Sequence, residues 1–379
     1  MDIKTLIRKN LINIPGWRTN RKIVVIESDD WGSIRMPSKN VYQVLLKKGV
    51  SVNACEFSRY DNLASTEDLN FLFEVLQSVK DKKGNPAIIT ANTVVANPDF
   101  ERIEASDFSR YFYVPFTDTL KNYGPVFQDA FELWKKGMKL KIWHPQFHGR
   151  EHLNVLRWMK GLQNGDIITR LAFSQRHFGL SPKVSPLVKY RYTDAFGNVG
   201  NESLEVEKKI IREGTQLFEK IFGYKSKSFI APAYTWRPEL EPTLKSCGID
   251  YLQGLPLQQI PVNDYPNWKS KSKYHYLGQK NALGQYYLVR NCFFEPYKND
   301  GLDWVNYCLD RIEIAFRWHK PAIISTHRLN FIGNLVKINR GKNLELFRFL
   351  LKQIVQKWPD IEFKTSDQLG DLIAKKNFE

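Results

Sequence analysis

Asp29, Asp30, His144, His148, His152 and His327 combine reactive side chains with suggestive spacing. Asp29 and Asp30 are adjacent and lead into Trp31-Gly32. Neighbours in an extended chain point opposite ways, so the two carboxylates can take different jobs. His144 and His148 stand four apart in His-Pro-Gln-Phe-His, and two imidazoles at that spacing can reach one ion. His152 follows four further on, so three of the seven histidines fall within nine residues. It falls on the predicted following helix and reads as structural rather than ligating. His327 is a natural general acid, because imidazole titrates near neutrality. Singly, each has a plainer reading: a polar strand exit, a packing pair, a satisfied core histidine.

Each cluster follows a run that reads as a buried strand. Lys22–Ser28, with its Ile-Val-Val-Ile core, delivers the two aspartates, and Pro321–Thr326 delivers His327. Lys139–Trp143 is predicted as the strand before His144, and Pro145 holds His144 in extended geometry at that strand's end. Further strands are predicted at 86–93, 227–232, 249–253, 285–293 and 361–364. Helices are predicted at 39–48, 66–80, 125–137, 151–163, 201–222, 237–247, 302–318 and 343–357, with Gly137 as one stop. Strand and helix alternate through short links, the pattern of a parallel α/β sheet or barrel. About eight strands favour a closed barrel. Residues 164–200, rich in Ser, Pro, Gly and aromatics, read as an insertion over one face and a candidate substrate loop. The domain reading is a basic segment over 1–21 followed by one barrel domain over 22–379.

Apolar residues make up 42% of the chain, enough for a substantial core, and the net charge of +16 predicts attraction to acidic partners. Lys and Arg are scattered rather than clustered, which argues against nucleic acid. Cys55, Cys247, Cys292 and Cys308 lie far apart and read as reduced thiols of a cytoplasmic protein. Charged residues interrupt the apolar positions of Met1–Trp17, so no signal-peptide core forms, and no apolar run is long enough for a membrane span.

The order of these motifs resembles the polysaccharide deacetylase family, carbohydrate esterase family four. Glu27-Ser-Asp-Asp30 is similar to its first motif, with Trp31 inserted before Gly32; His144–His148 to its second, with Pro145 in place of a hydroxyl residue; Gly223-Tyr224 through Pro232-Ala-Tyr234 to its third; and Ser325-Thr-His327 to its last. The resemblance spans roughly residues 22 to 370. It implies a distorted (β/α)7-type barrel with loop insertions, and a metal-dependent hydrolase removing N- or O-linked acetyl groups from a polysaccharide or glycan precursor. Asp30, His144 and His148 would hold a divalent ion, most often Zn2+. Asp29 would take a proton from water, and His327 would protonate the leaving group. A backbone amide near Ala233 or Tyr234 would hold the oxyanion. Trp31, Trp143 and Trp236, beside these motifs, can stack on sugar rings or pack in the core. Ile230 stands where the family has an arginine that steadies the base, and Arg237 or Arg290 would have to substitute. The alternatives are a related carbon–nitrogen hydrolase on the same barrel and a non-catalytic glycan-binding barrel.

Overall fold

The computed structural model describes residue 7 and residues 9–188, 191–263 and 267–375. The central sheet has nine strands: β1 (Ile23–Trp31), β2 (Ile89–Thr93), β3 (Trp143–Phe147), β4 (Ser228–Ile230), β5 (Tyr251–Gly254), β6 (Tyr286–Val289), β7 (Cys292–Phe293), β8 (Ala322–His327) and β9 (Glu362–Lys364). All pairings within it are parallel, in the order β6-β5-β4-β3-β2-β1-β8-β7, and β9 fills in beside the start of β1.

Only Arg290 and Asn291 separate β6 from β7. β6 pairs with β5 at one end of the order, and β7 pairs with β8 at the other. The bridging residues bond both ways: Arg290 N donates to Gly254 O at 2.9 Å, and Asn291 N to Ile323 O at 3.3 Å. A single kinked strand, Tyr286–Phe293, therefore joins the two edges and closes a distorted (β/α)7 barrel.

Alternation along β1 sets what the barrel contains. Val24 and Ile26 face the surrounding helices in the main core, while Ile23 and Val25 join Leu288, Ile323 and Ile373 in a separate core inside the lower barrel. The last helix, Ser366–Lys375, plugs that end. Farther up the inner row come Glu27 and then Asp29, both buried. Parallel strands release their carboxyl ends on the same side, so these acids meet His327 of β8 at one mouth.

The helices lie largely where the periodicity put them, including Asn201–Phe222 and Trp304–Arg317. Asp303 caps the latter by accepting from Asn306 N. The predicted stop at Gly137 is not one. The helix Ala130–Lys139 runs through it, and the glycine is there for clearance: a Cβ would meet Phe73 Cζ at 2.7 Å and Trp143 Cβ at 2.9 Å. The third strand consequently starts at Trp143, four residues later than predicted.

Two irregular pieces cover the mouth. One is the foreseen insertion, which carries a helix over Ile167–Ser174. The other is an antiparallel hairpin, Leu257–Asn263 with Lys269–Tyr274, which lies between the predicted strands 249–253 and 285–293 and was not predicted. All four cysteines are free thiols. Among the described residues, no helix is long and apolar enough to cross a membrane.

Candidate metal and catalytic centre

Asp30 sits where β1 breaks its alternation. It takes a left-handed conformation, φ 74°, and the register with β2 shifts between Ser28 and Trp31. The bulge re-aims the strand end, so both adjacent carboxylates line one cavity instead of opposite faces. That cavity has a volume of about 730 Å³.

Asp30, His148 and His152 offer ligand atoms that lie within 4.8 Å of one another, all buried. Nε2 of His152 is 3.1 Å from Asp30 Oδ1, and Nε2 of His148 is 3.4 Å from the same oxygen. His148 Nδ1 stands 2.8 Å from Ile230 O. A carbonyl only accepts, so Nδ1 carries the proton and Nε2 is left with its lone pair, the tautomer a metal ligand needs. Burial and the neighbouring Arg35 cation push His152 down to about 3, keeping that imidazole neutral. Burial opposes ionisation of Asp30, but Arg35 and the two histidines hold its carboxyl well below the usual range. His152 Nδ1 is a buried polar atom with no hydrogen-bond partner in the protein. Two imidazoles and one carboxylate form a donor set suited to zinc.

His144 does not join them. It lies inside β3, near the strand's start, where its Nε2 is 3.1 Å from Asp367 in the plugging helix and its ring stacks on Tyr224. Four residues of strand put it roughly 13 Å below His148. The expected ligand set of Asp30, His144 and His148 is therefore corrected to Asp30, His148 and His152. His152 precedes the helix Val155–Gln163 instead of lying on it.

Asp29 faces Arg290, which is fully buried. The guanidinium donates through Nη2 to Oδ1 at 2.6 Å and through Nη1 to Oδ2 at 2.7 Å, and Nε reaches Glu27 at 2.5 Å. Asn92 adds a bond to Asp29 Oδ1 at 2.8 Å. Burial pulls the Asp29 pKa up, yet the Arg290 charge and hydrogen bonds hold it down at about 2. Of the two arginines left open by the sequence, Arg290 steadies Asp29. Arg237 instead bonds Glu207 at 3.0 Å and Gly200 O at 2.8 Å, away from the aspartate.

His327 Nε2 is 3.8 Å from Asp29 Oδ2, and its Nδ1 is 2.6 Å from Glu295 Oε1. Burial alone would lower the imidazole, but Glu295 and Asp29 raise it to about 9. Glu295 is held in turn by Asn330 Nδ2 at 2.9 Å.

Ala233 and Tyr234 both line the cavity and both have positive φ, 57° and 56°. The Tyr234 amide already donates to Ala231 O at 2.9 Å, so it is not free for an oxyanion. Trp31 and Trp236 belong to the core and do not line the cavity. Trp31 is 1% exposed and meets the Trp143 ring edge-on at 4.4 Å; Trp236 is 3% exposed. The tryptophan at the mouth is Trp268 of the hairpin, and the walls include Lys183 and Arg191 of the insertion. Sequence reading missed the place of His152 beside Asp30 and His148, along with Arg35, Trp268 and Glu295. His148-Gly-Arg-Glu-His152 repeats the same four-residue spacing and was the available signal for His152. Glu295 had none, because it acts through His327, distant in sequence.

The sequence profile of glycosyl hydrolase family 57 matches residues 183–336, less than half of the chain. No curated protein matches significantly. Among solved structures, a candidate polysaccharide deacetylase from Mycobacterium smegmatis is similar at 10% identity and TM-score 0.45, covering 96% of this chain and 94% of its own. An allantoinase aligns at 10% identity and TM-score 0.43, over 96% and 92%. A 4-alpha-glucanotransferase from Thermococcus litoralis aligns at 12% and 0.45, over 92% of this chain and 40% of its own.

Proposed function

We propose that this chain is a metal-dependent hydrolase that removes N- or O-linked acetyl groups from a glycan or glycan precursor. The observation that carries the reading is one cavity holding three kinds of group: a buried Asp30–His148–His152 ligand set, an ionised Asp29, and a protonated His327. Two titratable groups pushed to opposite sides of neutrality are the mark of an assigned base and acid.

A divalent ion held by Asp30, His148 and His152, zinc being the one expected, would polarise the acyl carbonyl and lower the pKa of water. Asp29 is ionised at any working pH, and it orients the attacking water and accepts its proton. Arg290 fixes the direction of that carboxylate. His327, kept as imidazolium by Glu295, gives its proton to the departing nitrogen or oxygen. The Ala233 amide is the remaining candidate for steadying the oxyanion. Unpaired thiols fit action in the cytoplasm before export.

The profile match favours a second reading, cleavage of a glycosidic bond by two carboxylates. Glu295 would be the partner of Asp29, but both its oxygens are engaged by His327 and Asn330, so we rank this reading second. A carbon–nitrogen hydrolase of another kind would use the same groups, and a non-catalytic barrel would leave the ligand set without purpose. The test is to strip the protein with a chelator, reload it with zinc, and screen acetylated sugars and nucleotide sugars. Zinc-dependent release of acetate is expected. Intact acetyl groups alongside cleaved glycosidic bonds would overturn the proposal.

A further inference from the structure

We infer that Arg35 competes with the metal ion for Asp30, and that Asp61 receives the guanidinium when an ion binds; this rests on the Asp30, His148 and His152 ligand set proposed above. Arg35 follows Asp30 by five residues, just beyond the bulge of β1. Its backbone is pinned from three sides. His177 Nδ1 of the insertion is 2.9 Å from Arg35 O, Ile34 N donates to Asn97 Oδ1 at 2.8 Å, and Met36 N donates to Asp61 O at 3.1 Å. The buried side chain is thereby set between two buried carboxylates, Asp30 and Asp61.

Its contacts with both are loose. Nη2 is 3.5 Å from Asp30 Oδ2, and Nε is 3.6 Å from Asp61 Oδ2. Arg290 and Asp29, a settled pair at the same mouth, stand at 2.6 and 2.7 Å. Arg35 Nε and Asp61 Oδ2 are both buried polar atoms without a hydrogen-bond partner. Unpaired buried polar groups cost free energy, and these two face each other. Asp61 is a firm receiver. Arg328 donates to its Oδ1 through Nε at 3.0 Å and Nη2 at 2.8 Å, which leaves Oδ2 for Arg35. A short movement of the guanidinium would bond the two atoms. The Asp30 charge holds it back from that bond.

An ion on Asp30 changes the balance. Two cations beside one carboxylate repel each other, most strongly where water is excluded. While Arg35 stays beside Asp30 it weakens the hold on the ion, and withdrawal to Asp61 relieves the repulsion. Asp61 thus favours the ion without touching it. Without an ion, Arg35 supplies the positive charge that a buried carboxylate needs. It meets Oδ2 of Asp30, while Oδ1 points at His148 and His152. Metal uptake is then an exchange of one cation for another. Arg35 is a positioning residue for Asp30, neither a ligand nor a reacting group.

The experiment measures zinc affinity, by competition with a chromophoric chelator, for the wild-type protein, Arg35→Met, Asp61→Asn and the double variant. Arg35→Met should bind zinc roughly 10- to 100-fold tighter, the usual size of an effect from a residue touching a ligand. Damage to the fold only weakens binding, so a gain reads the charge. Asp61→Asn, which leaves the guanidinium on Asp30, should bind roughly tenfold weaker. The double variant should match Arg35→Met, because Asp61 acts through Arg35. If Asp61→Asn, which leaves the Arg328 charge unpaired, does not fold, Arg35→Gln replaces it. That variant loses the charge but keeps a polar side chain, and it too should bind zinc tighter than the wild type. Unchanged or weaker binding in Arg35→Met overturns the inference, as does an Asp61→Asn loss that persists in the double variant. Either result leaves the hydrolase reading intact. A wild-type protein that takes up no zinc would end both.

Discussion

At the scale of residues, the site works by pushing two ionisations apart. Arg290 holds Asp29 down at about 2, and Glu295 holds His327 up at about 9. Asp29→Asn keeps size and some hydrogen bonding but cannot accept a proton. It should bind metal normally and lose roughly 10²- to 10⁴-fold in turnover, the usual share of a general base. Full activity in Asp29→Asn would refute its assignment as base. Glu295→Gln tests the other half through a pH profile. As the proposed acid, His327 would act as the imidazolium, so activity should persist as pH rises and fall through about 9. With the Glu295 charge removed, burial, which lowers the imidazole, is less opposed. The alkaline limb should therefore move to lower pH, and an unmoved limb would show that His327 is not the acid. Asp29, Asp30 and His327 were legible in the sequence because each ends an apolar β-branched run. Arg290 was legible only as one of two choices, since its role depends on the closing strand reaching back beneath Asp29.

At the scale of elements, one glycine explains the main misreading. Gly137 after an amphipathic run reads as a helix stop. In the structure it is a helix-interior residue that lets Phe73 and Trp143 approach. The four-residue delay in β3 that follows moved the exit of the strand from His144 to His148, and hence the histidines that stand beside Asp30 from 144/148 to 148/152. Gly137→Ala weighs the two effects. Helix propensity favours alanine by about 1 kcal/mol, whereas contacts of 2.7–2.9 Å to buried rings and to Trp143 Cβ carry an overpacking cost of about 1–3 kcal/mol. The variant should melt at lower temperature than the wild type. A higher melting temperature would mean that the clearance is not needed. The bulge at Asp30 was illegible for a different reason: a left-handed aspartate leaves no composition signal, and strict alternation would have sent the two carboxylates to opposite faces.

At the scale of the whole molecule, the alternation and number of strands gave a closed barrel, but not the strand that closes it. Closure depends on Tyr286–Phe293 pairing with β5 through one half and β8 through the other, with Arg290 at the kink. The same arginine thus joins the sheet edges and anchors Asp29, so barrel integrity and the orientation of the base depend on one residue. The cavity mouth was partly legible: residues 164–200 read as a loop over one face, while the hairpin carrying Trp268, between the predicted strands 249–253 and 285–293, was not read. The proposed chemistry depends on which histidines hold the ion. Metal content of the wild-type, His152→Ala and His144→Ala proteins, measured after zinc loading and dialysis, tests this directly. The structure predicts that His152→Ala loses its bound zinc, while His144→Ala, roughly 13 Å down the strand, keeps it. Loss in His144→Ala with retention in His152→Ala, or a wild-type protein that holds no metal at all, would contradict the account.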